Sequence, residues 1–84
     1  MSDDWPARVV LLTSPGCHLC EEARAAMARV ARRTGADWAE VSLADRMDLW
    51  RDYGDRLPVV ILDGREHGYW EVEEERLVRD LTGG

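Results

Sequence analysis

The chain has 84 residues, 45% of them hydrophobic and 33% charged, the composition of one globular domain that builds its core without metals or several disulfides. A net charge of -6 leaves no basic face to neutralise phosphates, so nucleic acid is excluded as an expected partner. All eleven basic residues are Arg, which removes both a Schiff-base lysine and the lysine of a phosphate-cradling loop.

The first stretch, MSDDWPARVVLLTSPG, opens with two Asp and has no charged leader, and its apolar run is too short for a signal or a span. A cytoplasmic protein without membrane contact is expected. Val9 to Leu12 form an unbroken apolar run closed by Pro15-Gly16, the pattern of a strand covered on both faces. Leu19, Ala23, Ala26, Met27 and Val30 then recur at helical spacing. Glu21 and Glu22 lie in the first turn of that helix, Arg29, Arg32 and Arg33 in the last, and Gly35 is its stop signal. Next, WAEVSLA alternates, with Ala39, Val41 and Leu43 on one side. Asp45 can cap a short helix whose apolar positions are Met47, Trp50 and Tyr53 and which Gly54 ends. Pro58 opens PVVIL, and Asp63-Gly64 is a two-residue hairpin signal leading into EHGYW. EVEEERLVRDL closes the chain as a helix with Leu77, Val78 and Leu81 inward.

The order is therefore β-α-β-α-β-β-α. A right-handed crossover makes the first two strands parallel and the hairpin makes the last two antiparallel, so residues 1–84 should form a single α/β domain, a mixed four-stranded sheet with helices on both faces. Trp5, Trp38 and Trp50 read as packing residues and His67 as an exposed bystander. Of Tyr69 and Trp70, strand alternation places one in the core and one on the surface. The acidic run Glu71, Glu73, Glu74 and Glu75 reads as a solvated helix entry favoured by the dipole.

The chain's two cysteines, Cys17 and Cys20, both fall in TSPGCHLC, where the first strand hands over to the first helix. The first turn of a helix offers unpaired N–H groups and the positive end of the macrodipole, and both favour a thiolate at Cys17. His18 adds positive charge beside it when protonated, whereas Glu21 and Glu22 oppose an extra negative charge. Cys20, nearly one turn on, can bring its sulfur to that of Cys17 and resolve a mixed disulfide formed there. Two buried small hydrophobes are the structural alternative. Structural zinc wants four ligands, and one chain offers only Cys17, Cys20, His18 and His67 without a second Cys pair. No metal is expected in the monomer, although two chains pooling their pairs could hold zinc or a cluster.

The stretches VVLLTSPGCHLCEEAR and YGDRLPVVILDG resemble those of glutaredoxin-like proteins of the thioredoxin superfamily, and the order of elements agrees over nearly the whole chain. The resemblance implies a thioredoxin-like sandwich and a thiol-disulfide oxidoreductase, with Cys17 as nucleophile, Cys20 as resolving thiol and His18 tuning the pair. It also implies a cis Pro58 beside the sulfurs and a Leu57 backbone that pairs with substrate. The expected partner is a protein disulfide or a small thiol, met by a monomer without a bound cofactor. Glutathione-dependent glutaredoxins carry a basic residue before the first Cys, Pro-aromatic between the cysteines and a late Gly-Gly followed by an acid. Here Ser14-Pro15, His18-Leu19 and Gly68-Tyr69-Trp70 stand at those places, so glutathione is expected to be at most a poorly held co-substrate. The alternative on the same fold is an adaptor module whose pair senses redox state without turnover.

Overall fold

A computed structural model of the chain describes residues 5–83. In order these form β1 (Val9–Thr13), α1 (His18–Thr34), β2 (Trp38–Ser42), a 3-10 turn (Met47–Leu49) that runs into α2 (Trp50–Tyr53), β3 (Val59–Leu62), β4 (Arg65–Tyr69) and α3 (Glu74–Leu81). The strands lie in the order β2-β1-β3-β4. β1 is parallel to β2 and antiparallel to β3, and β3 is antiparallel to β4. This is the mixed sheet expected from the element order, with β1 at its centre.

The unbroken apolar run of β1 is needed because both of its faces are covered. Val9 and Leu11, with Val60 of β3, meet Ala23, Met27 and Val30 of α1 and Leu77 of α3. Val10 and Leu12, with Val59, Ile61 and Leu43, face the other way, under Trp5, Leu49, Tyr53 and Leu57. Val9 to Leu12 are each 0% exposed, and burying a side chain of that size contributes about 1.5–3 kcal/mol. α1 ends where Gly35, at φ 74°, donates its N–H to the Ala31 carbonyl at 2.7 Å, the left-handed stop that glycine makes cheap. The Asp63-Gly64 hairpin has φ 52° and 81° at its two central residues, the positive pair that a tight two-residue turn requires.

The structure departs from the sequence expectations at several places. Met47 points outward at 69% exposure, and Leu49 rather than Met47 joins Tyr53 against the core, because the chain makes a 3-10 turn before α2 and shifts the periodicity. Trp5 and Trp38 pack against the two core clusters, whereas Trp50 is 38% exposed and lies over Gly54. The ladder between β3 and β4 slips between Val60 and Ile61, which pair with Gly68 and Glu66. His67, in the slipped register, is no exposed bystander. Its Nε2 lies 2.9 Å from Asp80 Oδ2, and Arg76 donates to its carbonyl oxygen. Trp70 leaves the strand in the left-handed region at φ 70°, so both Tyr69 and Trp70 are exposed and neither enters the core. α3 accordingly starts at Glu74, three residues later than the acidic run suggests. Glu74 and Glu75 bind Arg29 and Arg33 of α1 at 2.7 Å, and the Arg29 guanidinium holds the Glu74 carboxyl below the usual carboxylate range. Such exposed pairs add little to stability; Leu77, Val78 and Leu81 against the α1 cluster hold the two helices together.

Candidate functional site

β1 delivers the chain to Ser14 and Pro15, and Gly16 turns it at φ 78° into the first residues of α1. A Cβ at Gly16 would meet nothing within 4 Å, so the glycine serves the backbone angle rather than a close approach. Cys17 is the residue that caps α1, extended at φ -88° and ψ 111°, and no side chain hydrogen-bonds across this cap. Its carbonyl accepts from Cys20 N–H at 3.3 Å. The unpaired N–H groups of the first turn and the positive end of the dipole favour negative charge at this helix end.

Cys17 and Cys20 are disulfide-bonded, with Cα atoms 5.3 Å apart, within the ordinary span of a bridge. The two cysteines are unequal in access. Cys20 is 0% exposed on the inner face of α1, whereas Cys17 is only partly buried and opens on a cleft of about 290 Å³. Ser14, Pro15, His18, Glu21 and Arg24 share that cleft, and His18 is exposed. Arg24 carries no expectation above, yet a local signal marks it: Cys17, Glu21 and Arg24 stand at i, i+4 and i+7, one face of a helix. Its guanidinium is bidentate on Glu40, Nε to Oε1 and Nη2 to Oε2, both at 2.8 Å. Glu40 Oε2 also accepts from the hydroxyl of Thr13 at 2.8 Å. These hydrogen bonds, Arg24's above all, hold the Glu40 carboxyl below its ordinary range against the opposing effect of burial. The last residue of β1 is thereby tied to β2 and α1 just before the cysteine turn.

Pro58 is buried and the Leu57–Pro58 peptide is cis. Leu12 pairs with Val59, so Pro58 stands at the level of Thr13, at the end of the sheet from which the cysteine turn departs. Its carbonyl accepts from Trp70 N–H at 2.8 Å, and Leu57 packs beneath, against the cluster of Val59 and Leu12. Cys17, His18, Cys20, Leu57 and Pro58 thus gather at one end of the fold, together with Trp70. Among the described residues no group of three or more His, Cys, Asp or Glu side chains could hold a metal, and no helix is long and apolar enough to cross a membrane.

Comparison with known proteins gives the same architecture. A family model described as a glutaredoxin-like domain (DUF836) matches residues 8–82. The uncharacterized protein Rv0508 of Mycobacterium tuberculosis is 40% identical over 80 residues, which cover 89% of this chain and 82% of that one. Among solved structures, protein Ne2328 from Nitrosomonas europaea superposes with a TM-score of 0.77 at 23% identity, covering 96% of this chain and 98% of its own. The glutaredoxin of Archaeoglobus fulgidus superposes with a TM-score of 0.59 at 18% identity, covering 94% and 89%. At these identities the two structures establish the fold, which is that of thioredoxin and glutaredoxin.

Proposed function

The chain belongs to the glutaredoxin-like domain family, and on that premise we propose that it is a thiol-disulfide oxidoreductase in which Cys17 attacks and Cys20 resolves. The observation that carries the reading is the unequal access of two bonded cysteines at a helix N-terminus, Cys17 lining an open cleft and Cys20 at 0% exposure. In the reduced protein the Cys17 thiolate attacks one sulfur of a substrate disulfide. A bond forms between Cys17 and that sulfur, and the other substrate thiolate leaves and takes a proton from water. Cys20 then loses its proton and attacks the Cys17 sulfur, which re-forms the Cys17–Cys20 bond and releases the second substrate thiol. Two electrons pass from the pair to the substrate, and an external thiol donor returns them by the reverse exchange.

His18, exposed beside Cys17, favours the thiolate when its ring is charged, which stabilises the reduced pair and raises its potential. The backbone at Leu57 and Pro58 lies at the same end of the sheet and would hold a bound substrate chain. The electrons reside on the two sulfurs, so the reaction needs no bound cofactor, and one chain supplies the whole pair. The substrate is a disulfide on a protein or small thiol, in a reducing, cytoplasmic setting. Glutathione is poorly held in this reading, since the cation at the cleft, Arg24, is already engaged by Glu40 and Glu21 lines the same cleft. Steady-state reduction of a small symmetrical disulfide by the wild type and by Cys17→Ser tests the reading: the wild type turns over and the variant does not.

A further inference from the structure

Among the described residues five large apolar side chains are left in solvent, two of them, Met47 and Trp50, on the 3-10 turn and α2. Leu19, Tyr69 and Trp70 are 52%, 47% and 55% exposed, and all three stand at the end that carries the cysteines. Leu19 lies between the two cysteines in the first turn of α1. Tyr69 pairs with Val59, which pairs with Leu12, and the Trp70 N–H is held by the Pro58 carbonyl. Trp70 adopts φ 70°, a conformation that a bulky L residue seldom takes and that recurs where a ligand is gripped. The Tyr69 ring meets the indole edge-on, with centroids 5.0 Å apart and planes at 80°. Leu19 and Trp70 line one groove of about 230 Å³ with the small Ala23 and Ala26 of α1. That is less than the roughly 300–1,000 Å³ of a small-molecule site, and it is of a size for one anchoring side chain of a longer chain.

The rim of the groove is acidic. Glu22 and Glu71 both line it, and neither forms a salt bridge with a described residue. Arg29, the cation in the lining, is taken up by a bidentate bond to Glu74, which also lines the groove. With a net charge of -6 on the chain, the field here favours a positive partner.

We propose that this groove, which reaches the cysteine turn through Leu19 and is separate from the Cys17 cleft, seats the substrate polypeptide, taking an apolar side chain from the flank of the reacting half-cystine with a Lys or Arg beside it. The proposal rests on the oxidoreductase reading of Cys17 and adds to it a substrate class: protein disulfides with an apolar and basic flank, in preference to acidic segments or to an anionic tripeptide thiol. An aromatic wall receiving one apolar anchor, with charges on the rim setting register and sign, is the division of labour common to interfaces.

The test is a titration of the oxidised full chain, uniformly labelled with ¹⁵N, against two thiol-free hexapeptides that carry Ser in the cysteine's place. One has Leu and Lys as its flanking residues and the other Leu and Glu. The basic peptide should move the Trp70 indole and Leu19 amide signals and bind about tenfold more tightly than the acidic one, Glu22→Lys with Glu71→Lys should reverse that order, and Trp70→Asn, a residue that tolerates the left-handed backbone, should weaken the basic peptide about tenfold with the remaining amide spectrum intact. Equal binding of the two peptides, binding unmoved by Trp70→Asn, or shifts that leave out Trp70 and Leu19 would overturn the proposal. Because neither peptide has a thiol, the result does not depend on exchange. A chain that binds as expected and fails to reduce a small disulfide refutes the oxidoreductase reading alone, and one that reduces it without distinguishing the peptides refutes the groove alone.

Discussion

Removing the Glu40 carboxylate tests how the cysteine turn is held. Glu40 of β2 accepts from the Thr13 hydroxyl and from both ends of the Arg24 fork at 2.8 Å. Thr13 is 1% exposed, so Glu40→Ala leaves its hydroxyl without that acceptor, and a hydrogen bond to a charged group contributes about 1.5–3 kcal/mol. The Arg24 contact is exposed and adds little. The expected loss in Glu40→Ala is therefore about 1.5–3 kcal/mol, read as a lower urea midpoint at unchanged slope. Thr13→Val in the same background removes the orphaned hydroxyl and should recover part of the loss, so the double-mutant cycle isolates the pair. The sign with pH follows from the depressed Glu40 carboxyl. Its contribution is fully present above the unfolded carboxyl value of about 4.3 and is lost as pH falls through the lower folded value. The stability difference between wild type and Glu40→Ala should accordingly be flat at neutral pH and shrink below about pH 4. A variant within about 0.5 kcal/mol of the parent at pH 7, or a difference that grows in acid, would refute the argument.

In the reduced chain Cys17 should react with iodoacetamide before Cys20, since the helix end alone is worth about 0.3–1 kcal/mol to a nearby anion, or about two- to fivefold more thiolate; His18→Ala should slow the Cys17 reaction. Faster labelling of Cys20 than of Cys17 in peptide mass spectra would reverse their roles. Gly54→Ala should destabilise the chain by about 1–3 kcal/mol in urea denaturation, because the new Cβ clashes with the Cε3 edge of the Trp50 ring and lies 2.8 Å from the Trp50 carbonyl oxygen; an unchanged midpoint would show that α2 yields freely.

What could be read in the sequence was whatever depends on local pattern. The β1 run, the capped helix after it and the Asp63-Gly64 hairpin each carry their own signal, and together with the handedness of the crossover they determine the topology. The cysteine pair was legible for the same reason, since its spacing and its place at a strand-to-helix junction are both local. What was not legible depends on neighbours distant in sequence. Strand alternation assumes a regular ladder, and the slip opposite Val60 and Ile61 carries His67 to Asp80. The left-handed turn at Trp70 answers to the Pro58 carbonyl, which no window around Trp70 contains. Thr13, Arg24 and Glu40 meet only because β1 and β2 pair in parallel with Leu11 opposite Glu40. Met47 departs from its expected inward position because α2 is a four-residue helix, too short for periodicity to fix a face.

The central claim is that Cys17 and Cys20 exchange electrons with disulfides in repeated cycles, and the most direct measurement is turnover of a small symmetrical disulfide with a dithiol donor, followed in the wild type and in each single Cys→Ser variant. The account predicts many turnovers for the wild type, none for Cys17→Ser, and for Cys20→Ser a mixed disulfide that mass spectrometry locates on Cys17. A wild type that oxidises once and stops would identify a sensing module instead, and a mixed disulfide on Cys20 in the Cys17→Ser variant that sustains turnover would contradict the assignment of the two thiols.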